Sequence, residues 1–293
     1  MSTSTVTTSA ANAATTPAFG VWQRLRTSWA ASPTVIVSLA WLLVVLVSAV
    51  APAVIAPGDP LTGEVSEKLR PPSLTHWFGT DQLGRDLFTR VVHGSGLTLQ
   101  AVLIALALGL IVGTLLGLVA GFVGHRTDAV IMRIADVLLA IPNLLLSLAV
   151  IVALGFGTVN VAIAVGVTSI ASVSRVMRAE VLKVKQSPYI EAARAGGARW
   201  GRILLLHVLP NAIAPVVVLG VLEFGSAILA ISALSFLGYG ATPPAPEWGA
   251  LVSQGRDFLA AQGWLSTLPG LVIVATVLSA NRIANALNDR TAS

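Results

Sequence analysis

The chain has no cysteine, which excludes disulfides, thiolate metal sites and cysteine nucleophiles together. It is also poor in charge: Asp, Glu, Lys and Arg make up 11% of its 293 residues, against about a quarter in a soluble domain. Its only lysines are Lys68, Lys183 and Lys185, and none follows a glycine. A phosphate-cradling G-x-x-x-x-G-K-[ST] loop therefore cannot be written in it, so any ATP it used would have to be bound by another subunit. A G-x-S-x-G elbow and an H-E-x-x-H helix are missing too, and no Ser/His/Asp constellation replaces them, so the chain does not read as an enzyme. His76, His93, His125 and His207 lie far apart without ligand-like spacing, so no metal site is expected.

What the chain has is apolar length. Hydrophobic residues make up 55% of it and its mean hydropathy is +0.83. Apolar runs fall near 34–56, 98–122, 129–154, 159–177, 211–237 and 264–286. A membrane helix needs about 20 such residues, so the reading is an all-α integral membrane protein with six transmembrane helices. The first run is too long for a signal-peptide core of about 7–15 residues and is expected to be retained. Before it, "MSTSTVTTSAANAATTPAFG" lacks the large apolar side chains that folding requires, and residues 1–33 are expected to be a disordered tail.

Six spans put both termini on one side. Alternate assignment of the loops gives that side 13 of the 18 Lys and Arg, among them Arg24, Arg126, Lys183, Arg199 and Arg282, and gives the other side Lys68, Arg70, Arg85, Arg90 and Arg256. The richer side is read as cytoplasmic, and the basic pI near 10.4 then reflects membrane topology and lipid contact, with no nucleic acid implied. On this reading 34–56 is the first span, 57–97 is extracytoplasmic, 98–286 is a five-helix core and 287–293 is a cytoplasmic tail.

Gly109, Gly113, Gly117 and Gly121 repeat every four residues on one face of the second span, a stripe suited either to packing within the bundle or to a neighbouring subunit. Asp136, Asn143 and Glu223 are the strongly polar residues nearest the apolar runs, and a carboxylate within a span needs water or a partner. Asn143, Ser172, Glu223 and Ser232 are thus candidates for a translocation path. In "FGTDQLGRDLFTRVVHG" the apolar Leu83, Leu87, Phe88, Val91 and Val92 recur at helical spacing. This predicts a short amphipathic helix on the outer membrane face, with Thr80 or Asp81 near its cap, serving as a clip for the second span or as a gate or docking surface through Asp81, Gly84, Arg85 and Asp86.

The segment "SPYIEAARAGGARWGRILLLHVLPN" is small and basic between two oily runs. Ser187-Pro188 suits a helix start and Gly196-Gly197 a left-handed stop, which predicts a two-turn helix on the cytoplasmic side, slim at Ala192, Ala193 and Ala195. Pro210 should open the fifth span, where its missing amide costs least.

Glu191-Ala192-Ala193, then Gly197, then Leu209-Pro210 resemble the "EAA" loop of permease subunits in binding-protein-dependent ABC importers. With "FGTDQLGRD", "IMRIADVLLAIPNLLL", "HVLPNAIAPVVV", "ALSFLGYGATPPAPEWGAL" and "LPGLVIVATVLSANRIANALND", the stretch from about Leu74 to Arg290 resembles the second permease subunit of the dipeptide/oligopeptide/nickel group. The resemblance implies a type I ABC importer permease fold. It implies a coupling loop over 178–210, in which Glu191, Ala192, Ala193, Arg194, Gly197, Leu209 and Pro210 dock onto an ATPase. It also implies the partners: a homologous second permease, two ABC ATPase subunits that bind ATP and Mg²⁺, and an extracytoplasmic solute-binding protein. This chain would hold no cofactor. The chain departs from the resemblance at His207, where the general loop has Ile, and at Ile231, where many relatives carry Glu while the acid here stands at Glu223. Di- or oligopeptide import is the implied function. Nickel or another small solute is the alternative within the class, and a stand-alone proton-coupled transporter is the alternative outside it, disfavoured by the shortage of ionisable residues in the spans.

Overall fold

The computed structural model describes residues 33–291, with side chains through Leu287. The expected tail over residues 1–33, with Arg24 and Arg26, falls outside this range except for Pro33. The regular structure of the described chain is helical, apart from an isolated antiparallel bridge between Thr80 and Asp86, with irregular segments over most of 56–86 and over 237–247. The helices are α1 (Pro33–Val50), α2 (Pro52–Ile55), α3 (Leu87–Val123), α4 (His125–Ala140), α5 (Asn143–Leu154), α6 (Thr158–Lys185), α7 (Pro188–Ala195), α8 (Trp200–Ile203), α9 (Leu209–Phe236), α10 (Trp248–Gly255) and α11 (Trp264–Thr291). Five described stretches are long and apolar enough to cross a membrane, α8 and α9 counting as one, and the bent pair α4–α5 makes a sixth if it is a single span.

That pair corrects the continuous run expected over 129–154. The chain bends by 100° between Ala140 and Asn143. Pro142 has no amide to donate and pushes the residue before it out of the helical region, and Ile141 accordingly sits at φ −91°, ψ 130°. In "LLAIPNLLL" the break hides because every neighbour is apolar.

The glycine stripe shows how the pair is used. A Cβ on Gly109 would lie 2.9 Å from Ser169 Cβ, one on Gly113 2.6 Å from Val173 Cβ, one on Gly117 2.7 Å from Met177 Cβ, and one on Gly121 2.8 Å from Val181 Cβ. The stripe is therefore filled inside the chain by α6, and close backbone approach supplies the dispersion contact that apolar burial cannot supply in lipid. The partners rise along α6 as the glycines rise along α3, so the two helices run parallel. The chain between them must return to the end where α3 began, and α4–α5 is that return. The count of six crossings follows.

The amphipathic helix expected around residues 80–92 is not formed as such. Thr80–Asp86 is a tight turn: Asp81 accepts from the amides of Leu83 (2.8 Å) and Arg85 (3.0 Å), and Gly84 sits at φ +75°. Side-chain bonds of this kind compete with helix for the same amides. The cap is Asp86, whose Oδ2 accepts from the Thr89 amide and hydroxyl, both at 2.7 Å, and the helix it opens is α3 itself. Leu87, Val91 and Val92 are buried in the bundle, so the apolar spacing belongs to core packing and not to a membrane surface. Arg90, one of the residues assigned to the extracytoplasmic side, is fully buried.

The fifth span also begins earlier than expected. Helix resumes at Trp200, widens to a π turn over Leu204–Val208, and continues as α9. The Leu209 amide reaches back to the Leu204 carbonyl just before Pro210, whose ring is incompatible with regular α geometry behind it. Of the loop expected over 178–210, only residues 186–187 and 196–199 are not helical. The tail expected from 287 continues α11 to Thr291.

Apolar packing falls into two clusters. One joins α1, α3, α5, α6, α9, α10 and α11 around Val102, Val165, Ile231 and Trp248. The other joins α3, α6, α7, α8 and α9 around Phe122, Met177, Ile190 and Ile203. The outside is just as apolar: Ile36, Leu103, Ile111, Val130, Val152 and Leu278 are all exposed, as expected of surfaces facing lipid or another subunit.

Candidate functional site

Three places gather the sequence-predicted residues. The first is the protruding segment at one end of the bundle. Pro188 occupies the first turn of α7, and Ser187 precedes it in extended geometry without a side-chain cap bond. The helix is closed by Gly197 at φ +75°, with the Ala198 amide bonded to the Ala193 carbonyl at 3.1 Å and the Gly197 amide to the Arg194 carbonyl at 2.9 Å. That pair of bonds is a Schellman motif, and Ala193 and Ala198, the positions whose apolar contact usually accompanies it, are both half-buried against the second cluster. Glu191, Ala192 and Arg194 are exposed. Leu209 and Pro210 are not part of this surface: they line an apolar groove of about 430 Å³ with Leu110, Ile111 and Ile213 on the flank of the bundle.

Sequence reasoning missed what fixes α7. Ile190 is fully buried among Leu118, Met177, Val181 and Ile203 of the second cluster. Trp200 packs edge-on against Phe122 at 4.5 Å between centroids, and Lys185 donates to the Gly121 and Phe122 carbonyls at 3.0 Å, closing the end of α3. The position of Ile190 in "SPYIEAA", one turn into a short helix with alanines beyond, was the available signal.

The second place is a cavity of about 370 Å³ between α5, α6 and α9. Asn143 and Glu223 line it, together with Ser147, Thr168, Ser169 and Ser226, which the sequence did not single out. Ser169 Oγ donates to Glu223 Oε2 at 3.0 Å. The other two path candidates are elsewhere: Ser172 donates to the Ser169 carbonyl at 2.9 Å off the cavity wall, and Ser232 is buried where α9 meets Gly249 of α10. Asp136 pairs with Arg175 at 2.5 Å.

The third place lies at the opposite end, around the turn before α3. Asp81 and Arg85 are both buried and paired at 2.7 Å. Arg90 donates to the Pro60 carbonyl at 3.1 Å and to Gln254 of α10 at 3.3 Å, with its Nε 3.6 Å from Asp81. The cluster thus ties the segment before α3 to the one before α11. Gly84 and Asp86 instead line a polar groove with Asp59, Glu64 and His76. Nearby, Glu247 is fully buried at the start of α10, accepting from the Gly249 and Ala250 amides, and burial pushes its carboxyl above the ordinary range. Among the described residues no cluster of His, Asp or Glu suits a metal ion.

Residues 113–293 match the family described as the binding-protein-dependent transport system inner membrane component. The chain belongs to that family. This permease is 43% identical over 224 residues to the dipeptide transport system permease protein DppC of Alkalihalophilus pseudofirmus, covering 76% of this chain and 74% of that one. It is 38% identical over 258 residues to the probable D,D-dipeptide transport system permease protein DdpC of Escherichia coli, covering 88% and 87%. It is 41% identical over 218 residues to the glutathione transport system permease protein GsiD of Pectobacterium atrosepticum, covering 74% and 72%. Among solved structures, the MetNI methionine ABC transporter in inward-facing conformations matches with a TM-score of 0.53 at 17% identity, over 68% of this chain and 96% of that one. An amino acid ABC transporter with histidines gives 0.55 at 16%, over 69% and 94%. At such identities the likeness establishes the fold, which is that of a type I ABC transporter permease.

Proposed function

We propose that this permease imports short peptides, delivered by an extracytoplasmic solute-binding protein and driven by two ATPase subunits, in a complex with a homologous second permease. The observation that carries this reading is α7, a two-turn helix anchored by Ile190 into the second cluster, with Glu191, Ala192 and Arg194 left free for a partner. The names of the relatives supply the peptide. ATP and Mg²⁺ belong to the partner ATPases, and this chain is non-catalytic. ATP binding draws the ATPases together, α7 follows its groove, and Ile190, Trp200 and Phe122 pass the movement to α3, α6 and α9. A ligand can shift such an equilibrium only by binding the two states unequally, so ATP and the loaded binding protein each favour one of them. The test is uptake. With the partner subunits in lipid vesicles and loaded binding protein outside, labelled dipeptide should accumulate with ATP and not without it. Nickel accumulation without peptide uptake would replace this reading with the metal one.

The protein sits in the inner membrane with α7 and both termini cytoplasmic. Absence of native cysteine makes this directly measurable. Single cysteines at Ser66 and Asp257, both exposed, should react with an impermeant thiol reagent in cells whose outer face is accessible, and one at Arg199 should not. Labelling of position 199 from outside would reverse the orientation. Gln254 is a poorer external position because it holds Arg90.

A further inference from the structure

Of the described side chains on the membrane-crossing helices, Asp128, Asp136, Glu180 and Glu223 are acidic. Three have a basic partner in the chain: Asp128 meets Arg178 at 2.5 Å, Asp136 meets Arg175 at 2.5 Å, and Glu180 meets Lys183 at 3.9 Å. Glu223, the one that lines the cavity, makes no ion pair among the described residues, and its single side-chain partner is the Ser169 hydroxyl. A carboxyl group held this way in a span keeps most of its capacity to accept hydrogen bonds.

Two hydroxyls of the wall have the same sense. Thr168 spends its hydroxyl proton on the Val165 carbonyl at 2.7 Å, and Ser226 spends its own on the Leu222 carbonyl at 3.4 Å. A hydroxyl that donates to its own helix offers only lone pairs to the space beside it. The cavity, at about 370 Å³, therefore holds one carboxyl group and two hydroxyls that offer lone pairs, with Asn143 and Ser147 able to donate or accept, and among the described residues no Lys, Arg or His lines it. The group that complements an unpaired carboxyl beside these lone pairs is a protonated primary amine, with three donors and one positive charge.

Building on the peptide reading above, we propose that Glu223 receives the protonated α-amino group of the peptide as it crosses, with Ser169 holding the carboxyl group in place. Ser169 is a positioning residue, since its bond is to Glu223.

The test uses the whole transporter in lipid vesicles, driven by ATP and supplied with saturating binding protein loaded with labelled dialanine. Glu223→Gln keeps shape and removes charge; it should lower dialanine uptake about tenfold or more, the effect of losing a charge-assisted hydrogen bond. Assembly and the stimulation of ATP hydrolysis by loaded binding protein should be retained. Glu223→Asp should recover most of the uptake, because the charge returns. Wild-type uptake by the Gln variant overturns the proposal. So does failure of that variant to assemble, which would make Glu223 a contact to another subunit, and so does an Asp variant as defective as Gln, which would make the role one of packing. If the wild-type transporter itself takes up no dialanine, the peptide reading falls and this inference with it, an outcome visible before any variant is compared.

Discussion

Gly197→Val yields a chain that inserts into the membrane normally but no longer couples to ATP hydrolysis. A Cβ at this position meets nothing within 4 Å, so the valine side chain has room and the whole effect is on the backbone. The cost arises from φ +75°, where an L side chain crowds its own carbonyl by about 1–2 kcal/mol and a β-branched one more. To escape, the chain leaves the left-handed region and gives up both closing bonds of α7, Ala198 to Ala193 and Gly197 to Arg194. Each is worth about 1 kcal/mol net. The helix then loses its defined end, and Arg199 and Trp200 leave the direction that seats Trp200 on Phe122. ATP hydrolysis stimulated by loaded binding protein should fall by about tenfold to a hundredfold, the factor that 1.4–2.8 kcal/mol commands. Gly201→Ala is the matched control: it lies four residues on, within α8, again with nothing within 4 Å of the added Cβ, and a helical alanine there should be neutral or slightly stabilising. If Gly197→Val bound the ATPases and turned over like wild type, the segment would be a solvated loop and the coupling role would be withdrawn.

Gly117→Leu should act earlier, by preventing the bundle from forming. The added Cβ alone would press on Met177 Cβ at 2.7 Å and more closely on the Ser174 carbonyl, and the remaining side-chain atoms have no space at all. Overpacking in a tight core costs about 1–3 kcal/mol, and here part of the obstacle is backbone that cannot turn aside. The amount of monodisperse chain recovered in mild detergent, with the melting temperature of what remains, reports the outcome; both should drop sharply. Gly96→Ala on the same helix should be tolerated, since its nearest neighbour is the Ala49 carbonyl at 3.4 Å. Equal recovery of Gly117→Leu and wild type would mean that α3 and α6 do not meet along the stripe.

These two glycines show what could be read from the sequence. Gly197 was legible because a left-handed stop after a short helix is a local matter, fixed by a few adjacent residues. Gly117 was legible as part of a stripe but not as to its partner, because spacing on one helix says nothing of what covers it. Glu223 and Asn143 could be found as polar residues in apolar surroundings, whereas Ser169 and Thr168, which share the cavity with them, could not be told from Ser172 on the same helix without knowing which way α6 turns. The Pro142 bend was hidden by its apolar neighbours. The turn over Thr80–Asp86 was hidden because Leu83 falls in helical register with Leu87 and Val91, which belong to a helix that begins only at Leu87. The burial of Arg90 could not be read from its neighbours, because Pro60 and Gln254, distant in sequence, supply its acceptors.

The parallel seam between α3 and α6 has a consequence in time. Its contacts join residues on the order of 60 positions apart, as from Gly109 to Ser169 and from Gly121 to Val181. At a synthesis rate of about 5–20 residues per second, α3 waits about 3–12 seconds in the membrane before the ribosome delivers the residues that cover it. During that interval its groove holds only lipid tails or whatever other helix is nearby. α4–α5, emerging first, has to fold back to the far side without occupying the groove, and the rigid turn at Pro142 limits the paths by which it can do so.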